Sequence, residues 1–358
     1  MTPNAPGNAP GSNLYAVATS LIILAISVYF LVVGKDVLIP LVLGIFIAYL
    51  LIALSHVLER VKLGSKPPPG WLSLTLAIVL FMLFLTAMVQ LIAGNIADAV
   101  AAAPLYQTRL AAVLAQINLL LASVLNRQEP LTLTTIVQQL DLSTAMGKFA
   151  GALQAVVGNT FEILLYVVFA LLEQRAFDHK LSAMFPDPAR EGRLRAIIAE
   201  IGRRTEKYVL IKTVISLLIG AITYITLWAV GVDFAAFLGL LAFLANYIPY
   251  LGSAIGIAFP AVIALLQTGE WGLAAVVMGV LAATHALIGN VLEPRLMGRS
   301  LNLSPLLMIV ALASWGSIWG VAGMLLSVPL MVMTMITLAQ FPKTRPIAVF
   351  MSENGEVN

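Results

Sequence analysis

The chain contains no cysteine and only three histidines in 358 residues, and charged residues make up just 10% of it. Without thiols there are no disulfides and no thiolate metal sites, and the histidines and sparse acids show no ligand spacing of the HExxH kind. No metal or cofactor is therefore expected. No Walker loop or dinucleotide fingerprint occurs, which argues against direct use of ATP. No nucleophile or paired acid and base stands at midspan depth, so the chain does not read as an enzyme. Soluble domains carry about a quarter charged residues. A chain that is 60% hydrophobic has more apolar surface than a soluble interior can hide.

What is present is a series of long apolar runs, each close to the 20 or so residues that cross a hydrocarbon core roughly 30 Å thick. Runs at 14–33, 38–58, 71–96, 151–172, 209–230 and 271–292 read as six spanning helices. Two further regions are apolar but interrupted. The region 234–266 is broken by Asn246, Pro249, Gly252, Ser253 and Gly256, and 305–338 by Gly316 and Gly320, with Gly323 and Pro329 following. Non-helical backbone at membrane depth persists only where protein or water satisfies its polar groups. The fold class is thus an all-α polytopic membrane protein with six spans and two re-entrant helical hairpins, about eight hydrophobic segments in all.

The net charge of +3 belongs to loops that set orientation, not to a nucleic-acid surface. The loop after the second run holds three basic residues against one acid, and 173–212 holds nine against six. The stretch 96–151 is balanced, three against three, and reads as outside. Both termini then face the cytoplasm. Residues 1–13 lack the basic start of a signal peptide and read as a disordered tail. The rest divides into spans at 14–96, an extracytoplasmic amphipathic segment at 97–150, a span at 151–172, a cytoplasmic amphipathic region at 173–208, a core at 209–340 and a cytoplasmic tail at 341–358. The outer amphipathic helix is expected at the outer interface or against a neighbouring subunit, and the inner one, started by Asp187 and Pro188, as a strut lying along anionic lipid.

In the second half, a span followed by a hairpin occurs twice in opposite senses, with a short echo between 252–256 (GSAIG) and 316–320 (GSIWG). Broken helices in corresponding positions of inverted halves point to a transport site near the midplane. Asn246, Tyr250 and Ser253, at the first break, are candidate pathway residues because freed carbonyls suit cations and half-helix N-termini suit polar oxygens. The same Pro249 and Gly252 also suit a plain tight turn. Asn290, Glu293 and Arg295 lie near Pro294, which is expected to stop the helix, and Glu293 and Arg295 can pair at the interface. Glu162 falls about ten residues into its run, where an ionised carboxylate is costly. It either faces a cavity as a proton carrier or sits near an interface by a shift of register. His285 reads as a proton relay or as a neutral histidine bonded to a carbonyl. His56 and His179 receive no role.

Three segments, NYIPYLGSAIGIAFPAVIALLQ at 246–267, NVLEPRLMGRSLNLSPL at 290–306 and WGSIWGVAGMLLSVPL at 315–330, resemble the autoinducer-2 exporter (AI-2E) family of permeases. PLVLGIFIAYLL at 40–51 is similar to that family's first block. SLNLSPL and FPKTRPIA look closest to its branch named for autoinducer-2 transport. The resemblance implies a multi-spanning, oligomeric protein of the bacterial inner membrane that exports a small polar signalling solute such as autoinducer-2. It gives the motif around Glu293, Pro294 and Arg295 a gate role. Some members are described as exchanging sodium or protons, so a sodium(lithium)/proton antiporter built on Glu162, Asp233 and His285 is an alternative. A non-transporting scaffold that organises partners through 97–150 is another. The expected partners are a small polar solute or ion, membrane lipid and further copies of the chain.

Overall fold

A computed structural model describes residues 10–61, 68–125, 158, 160–185, 187–297 and 302–356, which are almost entirely helical. In chain order the helices are α1 (Pro10–Val33), α2 (Lys35–Arg60), α3 (Gly70–Leu125), α4 (Thr160–Met184), α5 (Pro188–Ala229), α6 (Ala235–Ala245), α7 (Leu251–Thr268), α8 (Trp271–Leu287), a π turn (Ile288–Leu292), α9 (Glu293–Met297), α10 (Pro305–Ala339) and α11 (Arg345–Met351). Among the described residues, six helices are long and apolar enough to cross a bilayer. The chain is an all-α, multi-pass membrane protein. The expected tail at 1–13 falls outside the described residues over 1–9, the outer segment over 126–150, and the fourth run over 151–157.

The six differ in part from the runs read off the sequence. Leu251–Thr268 and Pro305–Ala339 qualify, although both lie in regions expected to hold only half-length helices. Gly252, Ser253 and Gly256 are not part of an unwound joint but sit inside α7. Glycine costs a helix about 1 kcal/mol, and close packing can offset that. Here a methyl group at Gly252 would overlap the carbonyl of Ala245, and one at Gly256 would lie 2.9 Å from His285 Nε2. The first break is confined to Asn246–Tyr250, between α6 and α7.

The second break is a single residue. Gly320 has φ 61° and ψ −139° inside α10, a conformation open essentially to glycine alone. Residues eight apart along a straight helix are about 12 Å apart. Yet Gly316 faces the Met324 side chain, and a methyl at Gly323 would overlap the Trp315 carbonyl, so the chain doubles back at Gly320. Pro329 is buried within the second limb. The GSAIG and GSIWG echo does not mark equivalent positions: the first follows its break and the second ends on it.

Two long helices carry the fold beyond any bilayer. The 42 residues of α5 would extend about 63 Å at 1.5 Å per residue, twice a hydrocarbon core. Its start is fixed by Asp187, whose carboxylate accepts the Ala189 N–H at 3.1 Å, with Pro188 in the first turn. The inner amphipathic segment is continuous with the span in one helix and not a separate strut, and no proline interrupts 189–229. Farther along, Gly220 of α5 and Gly239 of α6 meet so closely that a methyl on either would come within 2.8 Å of the other's carbonyl. Leu227, Leu238, Ala264, Val277 and Leu281 close a core among α5 to α8.

Helix α3 runs unbroken from its spanning part to Leu125, and its far half docks on its own chain. Arg109 donates to the carbonyls of Leu266 and Gln267, and the Tyr106 hydroxyl donates to Asp233 at 3.3 Å. Burial, and next the neighbouring Asp233 carboxylate, push the Tyr106 phenol up to about 12. Asp233 is thus an anchor for this arm.

Candidate functional site

A cavity of about 630 Å³ lies between α5, the α6–α7 turn, the α8–α9 segment and the residues around 302 and 353. Its volume falls in the range of small-molecule sites. Helix α5 contributes Tyr208, Lys212 and Ile219, a spacing of four and seven that keeps them on one helical face. Both Tyr208 and Lys212 are buried.

The turn contributes Asn246, Pro249, Tyr250 and Ser253. Two hydrogen bonds pin it to α5: Asn246 Nδ2 donates to Ser216 Oγ at 2.9 Å, and the hydroxyls of Thr213 and Tyr247 lie 2.7 Å apart. Tyr250 holds φ 63° and ψ −49°, a region costly for a side chain larger than glycine. It is half exposed, and its carbonyl accepts the Ser253 hydroxyl at 2.9 Å. Asn246 is buried, so its amide is held and not free to rotate into water.

The third wall is the segment from α8 to α9, with His285, Gly289, Asn290, Glu293 and Pro294 on the cavity. Pro294 does not stop the helix as expected. The backbone widens into the π turn at Ile288–Leu292, and the Glu293 N–H reaches back to the Ile288 carbonyl. This five-residue step absorbs the donor that Pro294 lacks and carries the helix on to Met297. It also turns Glu293 inward. Glu293 pairs with Lys212 at 2.6 Å and not with Arg295, which is exposed and does not line the cavity. His285 is buried, and its Nε2 has no hydrogen-bond partner among the described residues. The carbonyl bond expected for it is absent at that nitrogen, which faces Gly256.

The fourth wall comes from the end of the chain. Residues 352–356 fold back on 302–304: Ser304 N–H donates to the Met351 carbonyl at 3.0 Å, and Glu353 N–H to the Asn302 carbonyl at 3.2 Å. Asn302 and Glu353 thereby reach the cavity, with Met308 and Val328 from the two limbs of α10.

Of the candidates read from the sequence, Asn246, Pro249, Tyr250, Ser253, His285, Asn290, Glu293 and Pro294 come together here. Gly252 and Gly256 stand behind them in α7. Gly316, Gly320 and Pro329 do not reach the cavity. Trp319 beside the second break instead donates to the Leu31 carbonyl at 3.0 Å, holding α10 against α1. Glu162 is half-buried in the first turn of α4 and also stands apart. The three groups that motivated an antiporter, Glu162, Asp233 and His285, are not brought together. Sequence reasoning missed Tyr208 and Lys212. A lysine three residues inside an apolar run, four after a tyrosine, was the available signal.

Comparison with known proteins adds a lineage to this geometry. The family model described as AI-2E family transporter matches residues 20–343. A Haemophilus influenzae protein named only as a candidate transport protein is 32% identical over 333 residues, covering 89% of this chain and 91% of its own length. The AI-2 transport protein TqsA of Escherichia coli K12 is 29% identical over 323 residues, covering 89% and 90%. YhhT of the same organism, also named as a candidate transport protein, is 28% identical over 323 residues, covering 89% and 88%.

Proposed function

Because the chain belongs to the AI-2E transporter family, we propose that it carries a small polar solute across the cytoplasmic membrane by way of the cavity between α5, α8 and the α6–α7 turn. The observation that carries this reading is the meeting of an interrupted helix, with Asn246 and the strained Tyr250 at its break, and an ion pair between buried Lys212 and half-buried Glu293 around one space of about 630 Å³. Breaks of this kind free main-chain donors and acceptors for a solute that must leave its water behind.

Autoinducer-2 is the first cargo to try, since one relative at 29% identity is named for its transport and the sugar-like hydrogen-bonding groups of such a signal match amide, hydroxyl and imidazole walls. The basic residues that follow α2 and those along the first half of α5 support cytoplasmic termini, and export is the working direction. Assembly into a homo-oligomer is the further expectation, and light scattering in mild detergent tests it: a monomer would count against it.

Vesicles containing the purified protein are expected to pass labelled autoinducer-2 faster than empty vesicles, and Asn246→Ala is expected to lower that flux about tenfold, the scale of one lost buried hydrogen-bonding group. Equal flux for several unrelated solutes would reject the named cargo. Equal flux for protein-containing and empty vesicles, whatever the solute, would reject transport through this cavity.

A further inference from the structure

The sequence gives no hint that Lys212 and Glu293, 81 positions apart, face each other; the structure sets them 2.6 Å apart on the cavity wall. Only 7% of the lysine side chain and 22% of the glutamate side chain are exposed. Lys212 stands on α5, the helix that precedes the first hairpin, and Glu293 follows α8, the helix that precedes the second. They therefore join the two helix-plus-hairpin units at the point where the solute would lie.

We propose that this pair is the charge-selecting element of the cavity: by cancelling each other, Lys212 and Glu293 keep the solute position electrically neutral, so that it accepts an uncharged, hydrogen-bonding solute and rejects small ions. This inference rests on the reading of the cavity as the solute's path. The physical basis is that a charge entering a poorly solvated space needs a counter-charge there. An incoming anion could gain Lys212 only by displacing Glu293, which would leave that half-buried carboxylate unpaired. An incoming cation meets the mirror problem.

Of the other side chains on the cavity, Glu353, His285 and Tyr208 add no buried charge. Glu353 is exposed to water at the rim, where its field is screened. His285 and Tyr208 are uncharged at pH 8, above the ordinary histidine range and below the ordinary tyrosine range. What stays unsatisfied is neutral. His285 and Asn302 line the cavity, and their buried Nε2 and Oδ1 atoms have no hydrogen-bond partner among the described residues. A hydroxylated solute can serve both, one as donor or acceptor and the other as donor.

The absence of cysteine allows a test that needs no knowledge of the cargo. A single Ser253→Cys change places a thiol of similar size on the cavity wall. Its reaction rates at pH 8 with cationic, anionic and neutral methanethiosulfonates, each normalised to a free thiol, report the local potential. In the parent the cation-to-anion ratio is expected to stay near one. Lys212→Met should raise that ratio at least about tenfold and Glu293→Gln should lower it at least about tenfold, the effect of one uncompensated charge within roughly 10 Å at intermediate dielectric. The exchanged pair, Lys212→Glu with Glu293→Lys, should return it towards one and keeps the test open if either single variant folds poorly. A general loosening of structure would change all three rates in one direction and cannot invert the sign. A parent ratio already displaced tenfold, or single variants that shift it the same way, would overturn the proposal. A thiol that no reagent reaches would overturn it too, because the pair would then border a sealed void. Flux of labelled solute in vesicles is read separately, so loss of the selectivity proposal leaves the transport reading standing.

Discussion

Lys212 is the residue on which the site's stability turns. Removing one partner of a buried pair leaves the other charge without compensation, on the order of 3 kcal/mol in comparable cases, whereas removing both costs much less. Lys212→Met is therefore expected to lower the thermal unfolding midpoint of the detergent-solubilised protein by several degrees, and Lys212→Met with Glu293→Met by less than the single change. An equal fall in both would show that the pair contributes only packing. His285 gives a second expectation. A methyl at Gly256 would stand 2.9 Å from its Nε2, so Gly256→Ala should push the ring into the cavity and reduce solute flux. Flux unaffected by Gly256→Ala would mean that the ring has room elsewhere. By contrast Glu162, half-buried in α4 and away from the cavity, should tolerate replacement by Gln with flux within about twofold of the parent, as surface-like substitutions usually do. At this scale Asn246 and Glu293 were legible because a polar residue beside a helix breaker in an apolar run is conspicuous. Lys212 was not, since a single sequence shows neither which loop charge a helix carries inward nor which distant acid will meet it.

Helices and their breaks were easier to foresee than their exact extents. Apolar runs of spanning length announced α1 to α5 and α8, for the hydrocarbon core imposes that length. Proline and glycine announced the interruptions, but their effect depended on tertiary contacts. Pro294 is carried through by a π turn, Gly252 and Gly256 lie inside α7 as close-packing positions, and the whole second break falls on Gly320. At Gly320 the φ of 61° and ψ of −139° make Gly320→Ala costly by about 1–3 kcal/mol. That substitution should be detected as a lower unfolding midpoint with the helical circular dichroism retained. An unchanged midpoint would mean that the reversal can be made without this conformation. The joint between the inner amphipathic segment and its span is not visible in composition for a related reason: the sequence changes there from charged to apolar, while nothing in 189–229 breaks the helix.

The whole molecule brings one interrupted helix, one ion pair and one returning C-terminus around a common space, and the family model of transporters matches residues 20–343. The membrane class was legible from composition alone, and the family from three segments that prove to be largely the cavity's walls and the second hairpin. The closure of the cavity by residues 302–304 and 352–356 was not, because a pairing of two short polar stretches leaves no periodicity to read. Glu162 and Asp233 do not line the cavity that His285 borders, and Asp233 instead accepts from Tyr106. The most direct measurement is a density map of the protein in lipid nanodiscs with a transported solute present. Solute density is expected between Asn246, Ser253, His285 and the Lys212–Glu293 pair. Solute density at a lipid-facing groove or between subunits, with this cavity empty, would contradict this expectation.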